Sequence, residues 1–208
     1  MKLYTFPMSP NCLRVVAAAN QAGIKLDYVI VDLTKGEHMK PEFIKLNPNH
    51  KVPTLVDGDY VLWESTAILV YLAQVKPDSG LIPADLKQRM LLLQWMSWNT
   101  AQFSPACGVF VFENLVKKLL NMGAPDAAAL GKAKADFKRF GKVLDDHLQG
   151  RKYLVGDQPT VADHHVVSIF VHAEAGQIPV GEFKEIGRWS KALFSSEPWK
   201  KALAEIRR

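Results

Sequence analysis

Every well-formed strand signal in these 208 residues falls before residue 64, which confines any sheet to the first third of the chain. Lys2 to Thr5 form a short strand candidate. Residues 10–22, "PNCLRVVAAANQA", put a proline in the first turn of a helix and stop before Gly23. "LDYVIVDL" then reads as a second strand, so the opening segment is a βαβ unit with an expected right-handed crossover. "KPEFIKLNP" gives a short helical turn stopped by Asn47-Pro48, and "TLVDGDYVLWES" reads as strand, Asp57-Gly58 turn, strand. "STAILVYLAQV" follows as a helix opened by Ser65, with Ala67, Ile68, Tyr71 and Leu72 on one face.

The domain built from these pieces is expected to span residues 1–76. "KPDSGLIP", rich in Pro, Gly and Ser, lies where a linker over 77–85 is expected. Residues 86–208 shift to Leu, Ala, Met and Lys and predict helices at about 85–120, 126–149, 160–173, 182–194 and 198–206. Only "RKYLVG" offers another strand-like run. Thr160-Val161-Ala162-Asp163 has the spacing of a capping box ahead of an apolar run. The fold class expected is a small α/β domain followed by an all-α domain.

Bulk properties narrow the function. The composition, 48% hydrophobic and 23% charged, is that of a well-packed globular chain. The opening residues lack the apolar segment of a secretory peptide, and no apolar run reaches the length of a bilayer span, so no membrane partner is expected. Two cysteines, Cys12 and Cys107, fit a reducing compartment and predict a cytoplasmic location. Residues 1–80 hold eight Lys or Arg against eight Asp or Glu, so the whole net charge of +5 sits in the later part. Its cations Lys132, Lys134, Lys138, Arg139 and Lys142 are spaced as the solvated face of a helix, which argues against nucleic acid.

The chemistry-bearing residues gather at two helix starts. In "FPMSPNC", Ser9 stands where the first strand gives way to a helix, where free amides favour an anion and a hydroxyl could donate to a thiolate. A helix cap accounts for Ser9 as well, and Asn11 could offer an amide N–H to the same thiolate. Cys12 lacks the second cysteine of a dithiol couple and is expected to face the core. At the later start, Ser65 can hold a carboxylate while Glu64 accepts from an ammonium, a fit to an amino-acid head group that simple capping by Ser65 matches equally. His38 and Lys51 lie in polar connections and could meet a second carboxylate. His164, His165 and His172 lack metal-ligand spacing, so no metal is expected.

"MKLYTFPMSPNCLRVV", "VDLTKGEHMKPEFIKLNPNHKVPTLVDGDYVLWESTAILVYLA" and "YLVGDQPTVADHH" together resemble a cytosolic glutathione transferase over essentially the whole chain. Within that superfamily the chain is most similar to phi and theta-like serine enzymes, including bacterial relatives. The resemblance implies a thioredoxin-like domain that binds glutathione as cosubstrate, an all-helical domain that supplies much of the pocket for a small hydrophobic electrophile, and a homodimer. It implies that Ser9, with Asn11 as its rival, stabilises the glutathione thiolate, and that His38 and Lys51 approach the glycyl end. Val52, before a cis Pro53, would pair with the cysteinyl backbone, and Glu64 with Ser65 would grip the γ-glutamyl head. Met8, Phe103, Phe110 and His165 are the expected pocket walls, ahead of Trp98 and Phe112. His50 stands where many relatives have a small residue. Two other functions fit the same resemblance: a glutathione-dependent disulfide reductase relying on Asn11, and a non-catalytic protein that carries hydrophobic ligands or docks a partner.

Overall fold

A computed structural model describes residues 1–205, which form two compact units. One comprises Met1–Ala84 together with the chain from Phe194 on, and the other Asp85–Leu193.

In the first unit, β1 (Lys2–Thr5), α1 (Pro10–Ala22) and β2 (Asp27–Ile30) form the expected βαβ element, with β1 and β2 parallel. Two short 3-10 turns and the single-turn α2 (Pro41–Ile44) lead to β3 (Thr54–Asp57), β4 (Tyr60–Trp63) and α3 (Ser65–Val75). The sheet order is β2-β1-β3-β4, and β3 runs antiparallel to both neighbours. This is a thioredoxin-like arrangement. Leu3, Leu55, Val15, Val16, Ile68, Leu69 and Leu72 are buried because sheet and helices each carry an apolar face that must be covered. At the far end of α3, the Tyr71 hydroxyl donates to Asp57 Oδ2 at 2.8 Å and ties the helix to the hairpin turn.

The second unit is helical throughout, and "RKYLVG" adds no strand. It contains α4 (Leu86–Trp98), α5 (Ser104–Val111), α6 (Lys117–Leu119), α7 (Ala127–Leu148), α8 (Val161–Val167) and α9 (Lys184–Phe194), whose last residue joins the first unit. The long helix expected over 85–120 is continuous in direction of pattern but widens into π turns at Asn99–Phe103 and Phe112–Val116. Pro105 follows the first π turn directly, where its missing N–H costs the ladder least. An aromatic core runs through this unit: Trp98 stacks on Phe103 at 4.9 Å and Phe103 on Phe137 at 5.8 Å between ring centroids.

The last helix, α10 (Glu197–Glu205), changes the expected partition. It packs on α1, with Asn20 Nδ2 donating to the Pro198 carbonyl at 3.1 Å and Trp199 and Ala202 fully buried. The chain therefore returns to its first unit after the helical one. The expected helix 198–206 ends in a residue that lies outside the described ones.

Candidate active site

Two helix N-termini of the first unit carry the candidate residues. Ser9 caps α1: its Oγ accepts the Cys12 amide at 3.4 Å, and Pro10 occupies the first turn, where no N–H is wasted. Accepting with a lone pair leaves the hydroxyl hydrogen available to a ligand, so capping and thiolate stabilisation are compatible roles for Ser9. Asn11 is exposed one turn position further on, and Met8 is 42% exposed beside Ser9.

Cys12 lies fully buried under that cap. Burial pushes its thiol above the usual range despite nearby Ser9 and Thr5 hydroxyls, so it stays protonated and is no nucleophile at neutral pH. Arg14, two residues on, is a charged group the sequence reading passed over. It is buried, its Nε has no hydrogen-bond partner, and burial pulls its guanidinium down to about 9, opposed by attraction from Cys12 and Glu64. At neutral pH it remains a buried cation on α1.

Glu64 opens α3 with φ 70°, a left-handed backbone that a non-glycine residue adopts at a cost, and its carboxylate makes no cap bond. Its side chain is exposed, whereas Ser65 is buried. The pair thus presents a carboxylate beside the N-terminus of α3. His38, in a 3-10 turn, has a buried Nδ1 with no hydrogen-bond partner, and Lys51 is exposed. Val52 and Pro53 are buried and joined by a cis peptide. His50 also has a left-handed backbone, φ 57°, and its Nδ1 lies 3.2 Å from Met39 Sδ.

The expected pocket walls of the helical unit fare differently. Phe103, Phe110 and His165 are buried among that unit's own helices. His165 Nδ1 accepts Asn99 Nδ2 at 2.9 Å, and the same amide donates to the His165 carbonyl at 3.1 Å. Phe103 and Phe110 meet Phe137 on α7, and Phe103 also meets Phe170 after α8, contacts that helical periodicity alone does not reveal. Trp98 joins the same stack, while Phe112 is exposed. Among the described residues no group of three or more His, Cys, Asp or Glu is placed to hold a metal, and no helix is long and apolar enough to cross a membrane.

A thioredoxin-like sheet with Ser9 and Glu64-Ser65 at its helix starts, followed by an all-helical unit, is the architecture of the glutathione transferase class. Residues 1–74 match the glutathione S-transferase N-terminal domain and residues 106–197 the glutathione S-transferase C-terminal domain. The chain is 36% identical to glutathione S-transferase 3 of Zea mays over 99% of its own length and 94% of that protein's. Its fold superposes on the structure of glutathione S-transferase III in apo form with a TM-score of 0.87 at 35% identity, covering 100% of this chain and 97% of that one. A glutathione transferase from Pseudomonas putida, with one glutathione disulfide bound per subunit, is 26% identical with a TM-score of 0.87, covering 97% and 90% of the two chains. The chain belongs to the glutathione S-transferase family.

Proposed function

We propose that this protein is a glutathione transferase of the serine type, closest in its site to phi and theta-like enzymes, joining the glutathione thiolate to small hydrophobic electrophiles. The observation that carries the reading is the place of Ser9: its hydroxyl caps α1 at the helix end that favours an anion, with Met8 and Asn11 exposed beside it. A hydroxyl donating to sulfur favours the thiolate and lowers its pKa from about 8.5. The sulfur lone pair then forms the new bond to an electrophilic carbon as the leaving group departs with its electrons, and no covalent protein intermediate is needed.

The remaining contacts follow from chemistry. Glu64 accepts from the γ-glutamyl ammonium, and Ser65 at the N-terminus of α3 takes its carboxylate. Val52 pairs through its backbone with the cysteinyl unit, and Lys51 with His38, whose Nδ1 awaits a partner, meets the glycyl carboxylate. Met8 is the apolar wall beside the sulfur, and Asn11 is a secondary donor. The cation at Arg14 adds positive potential under the same helix. A cytoplasmic, homodimeric protein fits this role, and the exposed Leu86, Met90 and Leu93, on one stripe of α4, supply an apolar surface for a second copy.

Disulfide reduction is the second reading, favoured by exposed Asn11 and by the glutathione disulfide held in the Pseudomonas putida relative. Turnover of glutathione with an activated aryl halide separates the two. Transferase function requires saturation in glutathione and a fall of about 100-fold in kcat/KM for Ser9→Ala. Turnover of a glutathione mixed disulfide that depends on Asn11 and not Ser9 supports the reductase instead.

A further inference from the structure

Asn47 is 2% exposed at the end of the α2 turn and uses every hydrogen-bonding position of its amide. Nδ2 donates to the Lys51 carbonyl at 2.7 Å and to Thr54 Oγ1 at 3.1 Å. Oδ1 accepts the Asn49 amide at 3.0 Å and the Asn49 side chain at 3.1 Å. The main chain joins in: Asn47 N donates to the Phe43 carbonyl at 2.9 Å, and His50 N donates to the Asn47 carbonyl at 3.0 Å. Thr54 in turn is the first residue of β3, paired with Tyr4 and Trp63, so the amide bridges α2 to the sheet.

The segment enclosed by this ring of bonds carries Lys51, Val52 and Pro53. Its conformation has a cost, since His50 takes a left-handed backbone, and the Asn47 amide holds it together with the Thr54 hydroxyl, which donates to the Lys51 carbonyl at 3.3 Å. Val52 anchors its side chain against Phe43 and Val31, which leaves its backbone groups to be aimed by what holds the flanking peptides. We propose that Asn47 is a positioning residue for glutathione, fixing the Val52 backbone in the orientation that pairs with the cysteinyl unit. This rests on the glutathione reading above. Ser9 is held by a different element, so Asn47 governs affinity for the tripeptide frame and leaves thiol activation alone.

Binding of S-methylglutathione, which has no ionisable thiol, tests this by calorimetry on the full chain. Asn47→Asp keeps both acceptors and loses both donors; Asn49→Ala, at an exposed site, removes one bond to Oδ1 and keeps the fold safe. Expected is about a tenfold or larger loss of affinity for Asn47→Asp and a smaller loss for Asn49→Ala, equal for S-methylglutathione and for S-methylated γ-glutamylcysteine. The KM for glutathione rises in step while kcat at saturation changes less than about threefold. Unchanged affinity in folded variants overturns the proposal, as does a loss confined to kcat. A penalty that vanishes without the glycyl unit also overturns it, by moving the effect to Lys51. Failure of the wild-type protein to bind S-methylglutathione at all would instead overturn the glutathione reading.

Discussion

Asp163 Oδ1 accepts the indole N–H of Trp189 at 3.0 Å, joining the first turn of α8 to the middle of α9 inside the helical unit. The same oxygen accepts Leu154 N at 2.9 Å, and Oδ2 accepts both the backbone N–H and the hydroxyl of Thr160 at 2.9 Å. Four donors converge on one buried carboxylate. Asp163→Ala leaves them unpaired and is expected to cost on the order of 3 kcal/mol or more, read by urea unfolding, with Asp163→Asn intermediate.

His164, next along α8, is also buried, and burial holds its imidazole down at about 3. Between about pH 6.5 and that value the unfolded chain takes up a proton that the folded chain refuses, so this group removes about 1.4 kcal/mol of stability per pH unit as the pH falls. Asp163 acts in the opposite sense, because burial raises its carboxyl and the folded form then binds the extra proton. Comparing wild type with His164→Leu cancels the Asp163 contribution. From pH 7 to 5 the wild type is expected to lose about 2 kcal/mol more than the variant in denaturant titrations.

Gly141 on α7 faces the Phe183 ring so closely that a Cβ there would lie 2.5 Å from it. Gly141→Ala gains helix propensity but must displace an aromatic ring that also packs on Phe137. A net loss of about 1–3 kcal/mol is expected in thermal unfolding. Phe183→Leu in the same chain should recover part of it, the sign of a steric cause.

The α4 stripe gives a prediction about assembly. On the homodimer proposed above, Met90→Glu places a charge at the centre of the stripe and is expected to shift the sedimentation profile from dimer to monomer without changing the helical signal. Unaltered association would show that another surface joins the copies.

Local rules made much of this fold legible. The Thr160-Asp163 box, the Asp57-Gly58 hairpin and the Ser9 cap depend on residues within three positions of one another, and each forms as the spacing indicates. Contacts remote in sequence were another matter. Helical spacing gives Phe103 and Phe110 an apolar face without saying what covers it, and both lie buried beside Phe137. Nothing in "EPWKKALAE" signals α1 as the partner of α10. Arg14 sits among small apolar residues in "CLRVVAAA", a visible anomaly, yet burial of a charge is unexpected without the fold around it. Asn47 read as the stop of a short helix, and its second role emerges only when Lys51 and Thr54 come back to meet it.

The transferase proposal stands on thiolate formation by glutathione beside Ser9. The direct measurement is thiolate absorbance of glutathione bound to the protein across pH, in wild type, Ser9→Ala and Asn11→Ala. A thiol pKa well below about 8.5 is expected in wild type and in Asn11→Ala, returning toward that value in Ser9→Ala alone. A bound thiol that titrates at its free value, or one whose depression disappears with Asn11 and survives the loss of Ser9, would contradict it.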